Sequence, residues 1–260
     1  MACITLLSDF GLQDASVAIA KGTLMQQAPG ATIIDISHEV KPFCAPQAAY
    51  LLSAAYKNFP PGTCHIILFD LFSEKPSRII LSEHNSQYFL SPDNGLLPIA
   101  LGAGNISSWL YFEMNASQTF IDWLKAAGQA ANLLQEKNPA GLGLPDYKLI
   151  SSAQKTPQLS VQGFAACEVM HIDQYENVVV NITKQQFEEL AKGRSFSIRF
   201  MEVEEINTMS SNYTDVREGF KLCRFNSNGY LEICINRGKA ASLFGLRQGS
   251  RHNGIKIFFE

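Results

Sequence analysis

Two carboxylates stand directly downstream of the first apolar run of this chain. Ile4, Thr5, Leu6 and Leu7 are short and apolar enough for a buried strand, and Ser8, Asp9, Phe10 and Gly11 follow, with Asp14 a little further on. Asp9 is therefore expected at the C-terminal end of a strand, the edge of an open α/β sheet beyond which ligands bind. Gly11 permits a tight turn, and Asp14 stands where a helix beginning near Ala15 takes its N-cap. A cap at Asp14 and an Asx turn at Asp9 explain the same spacing without a ligand.

The elements that must hold these groups alternate in type. Residues 15–27 carry Val17, Ala20, Leu24 and Met25 near helical spacing and stop at Pro29-Gly30; residues 31–36 are a second strand, ending at Ser37, His38 and Glu39. Residues 45–59 put Ala48, Leu51, Leu52, Ala55 and Tyr56 on one helical face. Residues 63–69 form an apolar strand ending at Asp70, with further strands at 78–81, 88–90 and 107–112 and a helix at 117–134. The turn Ser91-Pro92-Asp93-Asn94-Gly95 offers the hydrogen-bonding groups of Asp93 and Asn94. This rhythm predicts an α/β domain over 1–150 with a mostly parallel central sheet.

Between 138 and 157 the composition turns to Pro, Gly, Lys and Ser without periodicity, as in an interdomain linker. From 158 to 260 the pattern is of strands without long helices, at 159–164, 167–172, 178–182, 195–200, 221–225, 231–235 and 255–259. A small antiparallel β-barrel domain is expected there. The polar stretches Asp173 to Asn177 and Asn226 to Gly229 have the character of hairpin turns.

With 260 residues, 46% of them hydrophobic, the chain can build two cores. A net charge of −3 with no block of Lys and Arg gives no footprint for nucleic acid or an acidic membrane. No basic region precedes the first apolar run and no apolar stretch approaches the ~18 residues of a membrane span, so a soluble, cytoplasmic protein is expected. Six scattered cysteines without a C-x-x-C pair imply free buried thiols, and no ligand cluster calls for a metal.

Taken in order, Ser8-Asp9-Phe10-Gly11 with Asp14 and Lys21-Gly22, Asp35-Ile36-Ser37-His38, Phe59-Pro60-Pro61-Gly62-Thr63, Pro92 with Asn94-Gly95-Leu96-Leu97, Asp173 to Asn177 with Asn181-Ile182, and Asn226 to Ile233 with Asn236 and Ala240-Ala241 form a recognisable series. It resembles the S-adenosyl-L-methionine hydroxide adenosyltransferase family, relatives of fluorinating and chlorinating enzymes, over nearly the whole chain. The resemblance implies an N-terminal α/β domain, a C-terminal β-barrel and a homotrimer that holds S-adenosyl-L-methionine between one subunit's first domain and a neighbour's second, with no cofactor. By position, Asp9 looks like the residue gripping the ribose hydroxyls, with Asp14 and Ser16 close by and Phe43 as an aromatic ring against the nucleoside. Asp93 and Asn94 belong to the retained binding set. Asp173 looks like the acceptor for the methionine ammonium, Asn177 the reader of the adenine edge and Ser227 the holder of the methionine carboxylate, while the backbone from Asn236 to Ala240 completes the adenine site.

The implied chemistry is substitution at the 5′ carbon, with a sulfonium leaving as a neutral thioether, so that the protein need only position a desolvated nucleophile. The hydrolytic members are similar in using an Asp, an Arg and a His on the water. Asp70 matches the aspartate, but the family's Asp-Pro-Gly-Val-Gly-Thr run becomes Asp70-Leu71-Phe72-Ser73-Glu74-Lys75. The arginine position falls on Ser77, so Arg78 serves only with a one-residue shift, and the histidine position is Ile121. His38 belongs to a retained motif at a strand end and reads more readily as structural; His65 and His171 interrupt apolar strands, and His84 and His252 fall in surface loops.

Hydrolysis to adenosine and L-methionine, with Asp70 and Arg78 positioning water, is the leading expectation. The alternative is a homologue that binds adenosine or S-adenosyl-L-methionine without turnover, as a sensor or interaction protein. An altered nucleophile or an altered nucleoside substrate is a third possibility, although bulky Leu71 and Phe72 differ from the small hydroxyl side chains of the halide-using relatives.

Overall fold

The computed structural model describes residues 3–102, 106–115, 117–134, 142–150, 157–201, 204–248 and 254–260. The chain divides into two compact units, Met1–Ala153 and Gln154–Glu260. Half of the expected linker, residues 138–141 and 151–156, lies outside the described residues, and so does His252.

The first unit is built on six strands: β1 (Cys3–Ser8), β2 (Thr32–Ser37), β3 (Cys64–Leu68), β4 (Arg78–His84), β5 (Gln87–Pro92) and β6 (Ser107–Glu113). They form one sheet in the order β2-β1-β3-β5-β4-β6. The first four members of that order run parallel, and β4 pairs antiparallel with β5 and with β6. Helices α1 (Ser16–Gln27) and α4 (Phe120–Leu134) share one core with alternate strand residues such as Leu6, Ile66 and Leu90. Helices α2 (Ala45–Tyr56) and α3 (Leu96–Leu101) share another with Leu7, Ile67 and Phe89. Burial on both faces explains why the inner strands β1 and β3 read as continuous apolar runs rather than alternating ones.

Most expected elements form close to their expected bounds. The helix expected over 117–134 begins only at Phe120, because Asn115 Oδ1 accepts from the Ser117 amide at 3.0 Å and Asp122 Oδ2 accepts from the Thr119 amide at 2.8 Å. These local bonds hold the entry in a turn.

The second unit contains β7 (Phe164–Cys167), β8 (Val169–Ile172), β9 (Val178–Thr183), α5 (Lys184–Ala191), β10 (Phe196–Phe200), β11 (Glu204–Ile206), β12 (Lys221–Phe225), β13 (Tyr230–Ile235), α6 (Ala240–Leu243) and β14 (Ile255–Phe259). These strands make two four-stranded antiparallel sheets, β11-β10-β14-β7 and β12-β13-β9-β8, with no closed ring of strands among the described residues. At Glu168, between β7 and β8, the chain passes from one sheet to the other. Asn181 fastens that corner: its Oδ1 accepts from the Glu168 amide at 2.7 Å and its own amide donates to the Glu168 carbonyl at 3.0 Å. Both sheets turn apolar faces inward, with Val180, Ile198, Phe200, Ile233 and Ile257 in one core.

Candidate active site

Parallel pairing brings the polar strand ends of the first unit to one edge. Ser8 at the end of β1 is level with Leu68 at the end of β3, and Leu7 is level with Ser37 at the end of β2. Asp9 and Asp70 therefore emerge side by side, and Asp9 Oδ2 accepts from the Asp70 amide at 3.3 Å. Both residues are partly buried. Desolvation pushes the Asp9 carboxyl above its ordinary value of 3.8, against the lowering effect of the Asp70 amide, and the neighbouring Asp70 charge adds to the rise. Asp70 has φ 47°, in the left-handed region that Asp tolerates better than most residues.

The edge is cross-tied. The Gly11 amide donates to the His38 carbonyl at 2.7 Å, a turn that Gly11 accommodates at φ 70°. Asn94, past the end of β5, donates from Nδ2 to the Phe69 carbonyl at 2.8 Å and accepts from the Leu96 amide at 3.2 Å. Asp14 Oδ1 accepts from the Ser16 amide at 2.8 Å, so it caps α1 from one position further out than expected, and this bond lowers its carboxyl. Phe43 stands 82% exposed at φ 62°, an outlying backbone conformation for a bulky residue.

Other expected site residues are committed to the protein itself. Asp93 is buried, with Oδ2 accepting from the Tyr147 hydroxyl at 2.7 Å and Oδ1 from the Ile150 amide at 3.0 Å. Arg78 donates from Nε to Glu113 Oε2 at 2.9 Å across the β4-β6 pairing, a bond that raises its pKa. Of the residues in the altered loop, Leu71 is buried and Phe72 exposed. Ile121 packs against the core of the first unit, and Phe10 meets Phe120 edge-on at 5.3 Å, which puts the start of α4 beside the Asp9 turn.

His65 is fully buried, with Nδ1 2.7 Å from Thr5 Oγ1 and Nε2 2.8 Å from Gln87 Oε1. Burial lowers its pKa to about 4, which fits a neutral structural histidine.

In the second unit Asn177 and Asn236 line an open pocket of about 580 Å³ together with Tyr175, Tyr213, Arg237 and Lys239. Asp173 organises one wall: Oδ1 accepts from the amides of Tyr175 at 2.9 Å and Asn177 at 2.8 Å, and Oδ2 from Asn177 Nδ2 at 2.9 Å. Asn236 donates from Nδ2 to the Val216 carbonyl at 2.8 Å, and buried Ala240 opens α6, next to Lys239. Ser227 sits in the β12-β13 turn, at the end of the hairpin remote from the pocket residues Ile235 and Asn236. The two tyrosine walls were not singled out by sequence reading. Tyr213 donates its hydroxyl to buried Glu232 at 2.8 Å, and burial followed by that bond pushes its pKa up to about 12.

Among the described residues no group of three or more His, Cys, Asp or Glu side chains could hold a metal ion, and no helix is long and apolar enough to cross a membrane.

Comparison with known proteins matches residues 4–143 to the SAM hydroxide adenosyltransferase N-terminal domain and residues 167–253 to the SAM hydroxide adenosyltransferase C-terminal domain. The chain is 28% identical over 260 residues to an (R)-S-adenosyl-L-methionine hydrolase from Methanocaldococcus jannaschii, covering 94% of this chain and 92% of the relative. It is 25% identical over 284 residues to a fluorinase from Nocardia brasiliensis, covering 95% and 94%. Among solved structures, an uncharacterized conserved protein from Thermotoga maritima superposes with a TM-score of 0.81 at 27% identity, covering 98% of each chain.

Proposed function

The chain belongs to the SAM hydroxide adenosyltransferase family, and from that membership we propose that it hydrolyses S-adenosyl-L-methionine to adenosine and L-methionine. The observation that carries this reading is the pairing of Asp9 with Asp70 at adjoining parallel strand ends. Asp9 accepts hydrogen bonds from the two ribose hydroxyls, which fixes the sugar. Asp70 accepts a hydrogen bond from a water aimed at the 5′ carbon. The water oxygen bonds to that carbon as the carbon–sulfur bond breaks, and the bonding pair stays on sulfur as a neutral thioether. The surplus proton of the water passes by way of Asp70 to solvent. The leaving group needs no acid, so the protein's contribution is position and exclusion of bulk water.

In the same reading Asn177 and Asn236, with the backbone leading to Ala240, hold adenine, and Asp173 serves the methionine end; Ser227, at the far end of its hairpin from these residues, has no part in it. A homotrimer, in which a neighbouring copy supplies the second domain, completes the proposal, and no cofactor enters it. Arg78 joins the reaction only if Glu113 releases it.

Binding without turnover is the second reading, favoured by Ile121 at the family's histidine position and by the Arg78–Glu113 pair. Incubation with S-adenosyl-L-methionine, followed by chromatography for adenosine and calorimetry for binding, separates the two. Adenosine formed over many turnovers supports hydrolysis, and tight binding without product supports the second reading.

A further inference from the structure

The proposed reaction leaves His38, at the end of β2, without a task, yet its surroundings are specific. The ring is 4% exposed, and Nδ1 lies 2.6 Å from the hydroxyl of fully buried Ser8. Its Nε2 is 3.1 Å from Asp35 Oδ1, and Lys21 Nζ is 2.6 Å from the other Asp35 oxygen. The His38 carbonyl also accepts from the Gly11 amide at 2.7 Å. One residue thus ties down the chain immediately before Asp9, through Ser8, and shortly after it, through Gly11.

Serine, histidine and aspartate in this sequence of contacts have the connectivity of a nucleophilic triad. Ser8 is closed to substrate, however, and the Phe10 amide lies 3.5 Å from its oxygen, so the hydroxyl is a tether. The Lys21–Asp35 contact lies on the outer side of the ring and backs it, since Asp35 and Lys21 are both more than a third exposed.

We propose that His38 is a positioning residue: it holds the turn that presents the Asp9 carboxylate to the ribose hydroxyls, with Asp35 and Lys21 fixing the ring from behind. This rests on the reading of Asp9 given above. The ring touches no reacting atom in that reading, so its loss weakens recognition of the hydroxyls and leaves the rest of the ligand alone.

The test is calorimetry on the full chain with adenosine and with 2′,3′-dideoxyadenosine, which lacks both hydroxyls. Ser8→Ala and His38→Leu should each weaken adenosine about tenfold, the effect of losing one hydrogen bond's worth of alignment, and leave the dideoxy compound unchanged. His38→Asn, whose amide reaches the position of Nδ1, should recover most of the lost affinity. If His38→Leu does not fold, the smaller Ser8→Ala change decides alone. Unchanged adenosine affinity in Ser8→Ala, beside a loss in Asp9→Ala, would overturn the role of His38 and keep that of Asp9. Equal losses for both ligands would make the network merely structural and overturn it too. A wild-type protein that does not prefer adenosine to the dideoxy compound would contradict the Asp9 reading itself, and this inference with it.

Discussion

The parallel and antiparallel halves of the six-stranded sheet hold their charged side chains in opposite ways. At the end of the parallel half, Asp9 and Asp70 emerge where strand pairing stops, and the Asp9 carboxylate meets a backbone amide. In the antiparallel half Arg78 lies directly across from Glu113, and Ser82 directly across from Ser108, with each pair bonded at 2.9 Å. Cross-strand neighbours satisfy one another, as opposed residues on antiparallel strands do. A strand end has no such opposite number, so its carboxylate keeps acceptor capacity for a ligand.

Removing the strand-end carboxylate is the strongest way to break this comparison. Asp9→Ala should weaken adenosine binding by about 100-fold or more, since two charge-assisted hydrogen bonds contribute roughly 1.5–3 kcal/mol each. Wild-type affinity should also fall on acidification from a pH above that of an ordinary aspartate, because burial raises the Asp9 carboxyl and protonation removes acceptors. Asp9→Asn should bind weakly with little pH dependence. Calorimetry across pH measures both.

A titratable group inside the parallel half, away from its edge, should affect stability rather than binding. His65 titrates near 4 in the folded chain instead of 6.5, so the unfolded chain takes up a proton between those values that the native chain refuses. Stability from this source is complete above the unfolded value and declines as pH falls through the window, by about 3 kcal/mol in all. Urea unfolding of the wild type between neutral pH and pH 4 should show the decline, and His65→Gln should flatten it.

Ile121→His sharpens the comparison by adding a proton acceptor at the start of α4, beside the Asp9 turn. It should raise adenosine formation about tenfold, less than the full contribution of an established general base. The smallest effect belongs to the antiparallel half. Arg78→Met and Glu113→Gln should each change stability by less than about 1 kcal/mol and leave adenosine affinity as it was, because partly exposed ion pairs contribute little.

The parallel half was legible in the sequence because its signals are local. An apolar run that stops at Ser8-Asp9, at Ser37-His38 or at Phe69-Asp70 marks a strand end, and parallel neighbours bring those ends together. The Arg78–Glu113 pair was not legible, since it depends on a register between strands far apart in the chain. The bonds of Asp93 were not legible for the same reason: Tyr147 and Ile150, which donate to its oxygens, carry no mark of it in their spacing. Helix α5 did carry a readable mark, the capping box from Thr183 to Gln186, but its brevity hid it among strands. In the second unit the strands from 178 onward were placed well apart from the short β11, but the strand expected at 159–164 is a turn leading into β7, which begins only at Phe164, and the one expected at 167–172 is split at Glu168. The division into two sheets depends on that corner, which Asn181 fixes from β9.

The most direct measurement is incubation of the purified chain with S-adenosyl-L-methionine in heavy-oxygen water, with mass analysis of the products. The account predicts adenosine carrying one heavy oxygen at its 5′ position, unlabelled methionine, and loss of both products in Asp9→Ala. Adenosine without the label, or neither binding nor product from the wild-type chain, would contradict it.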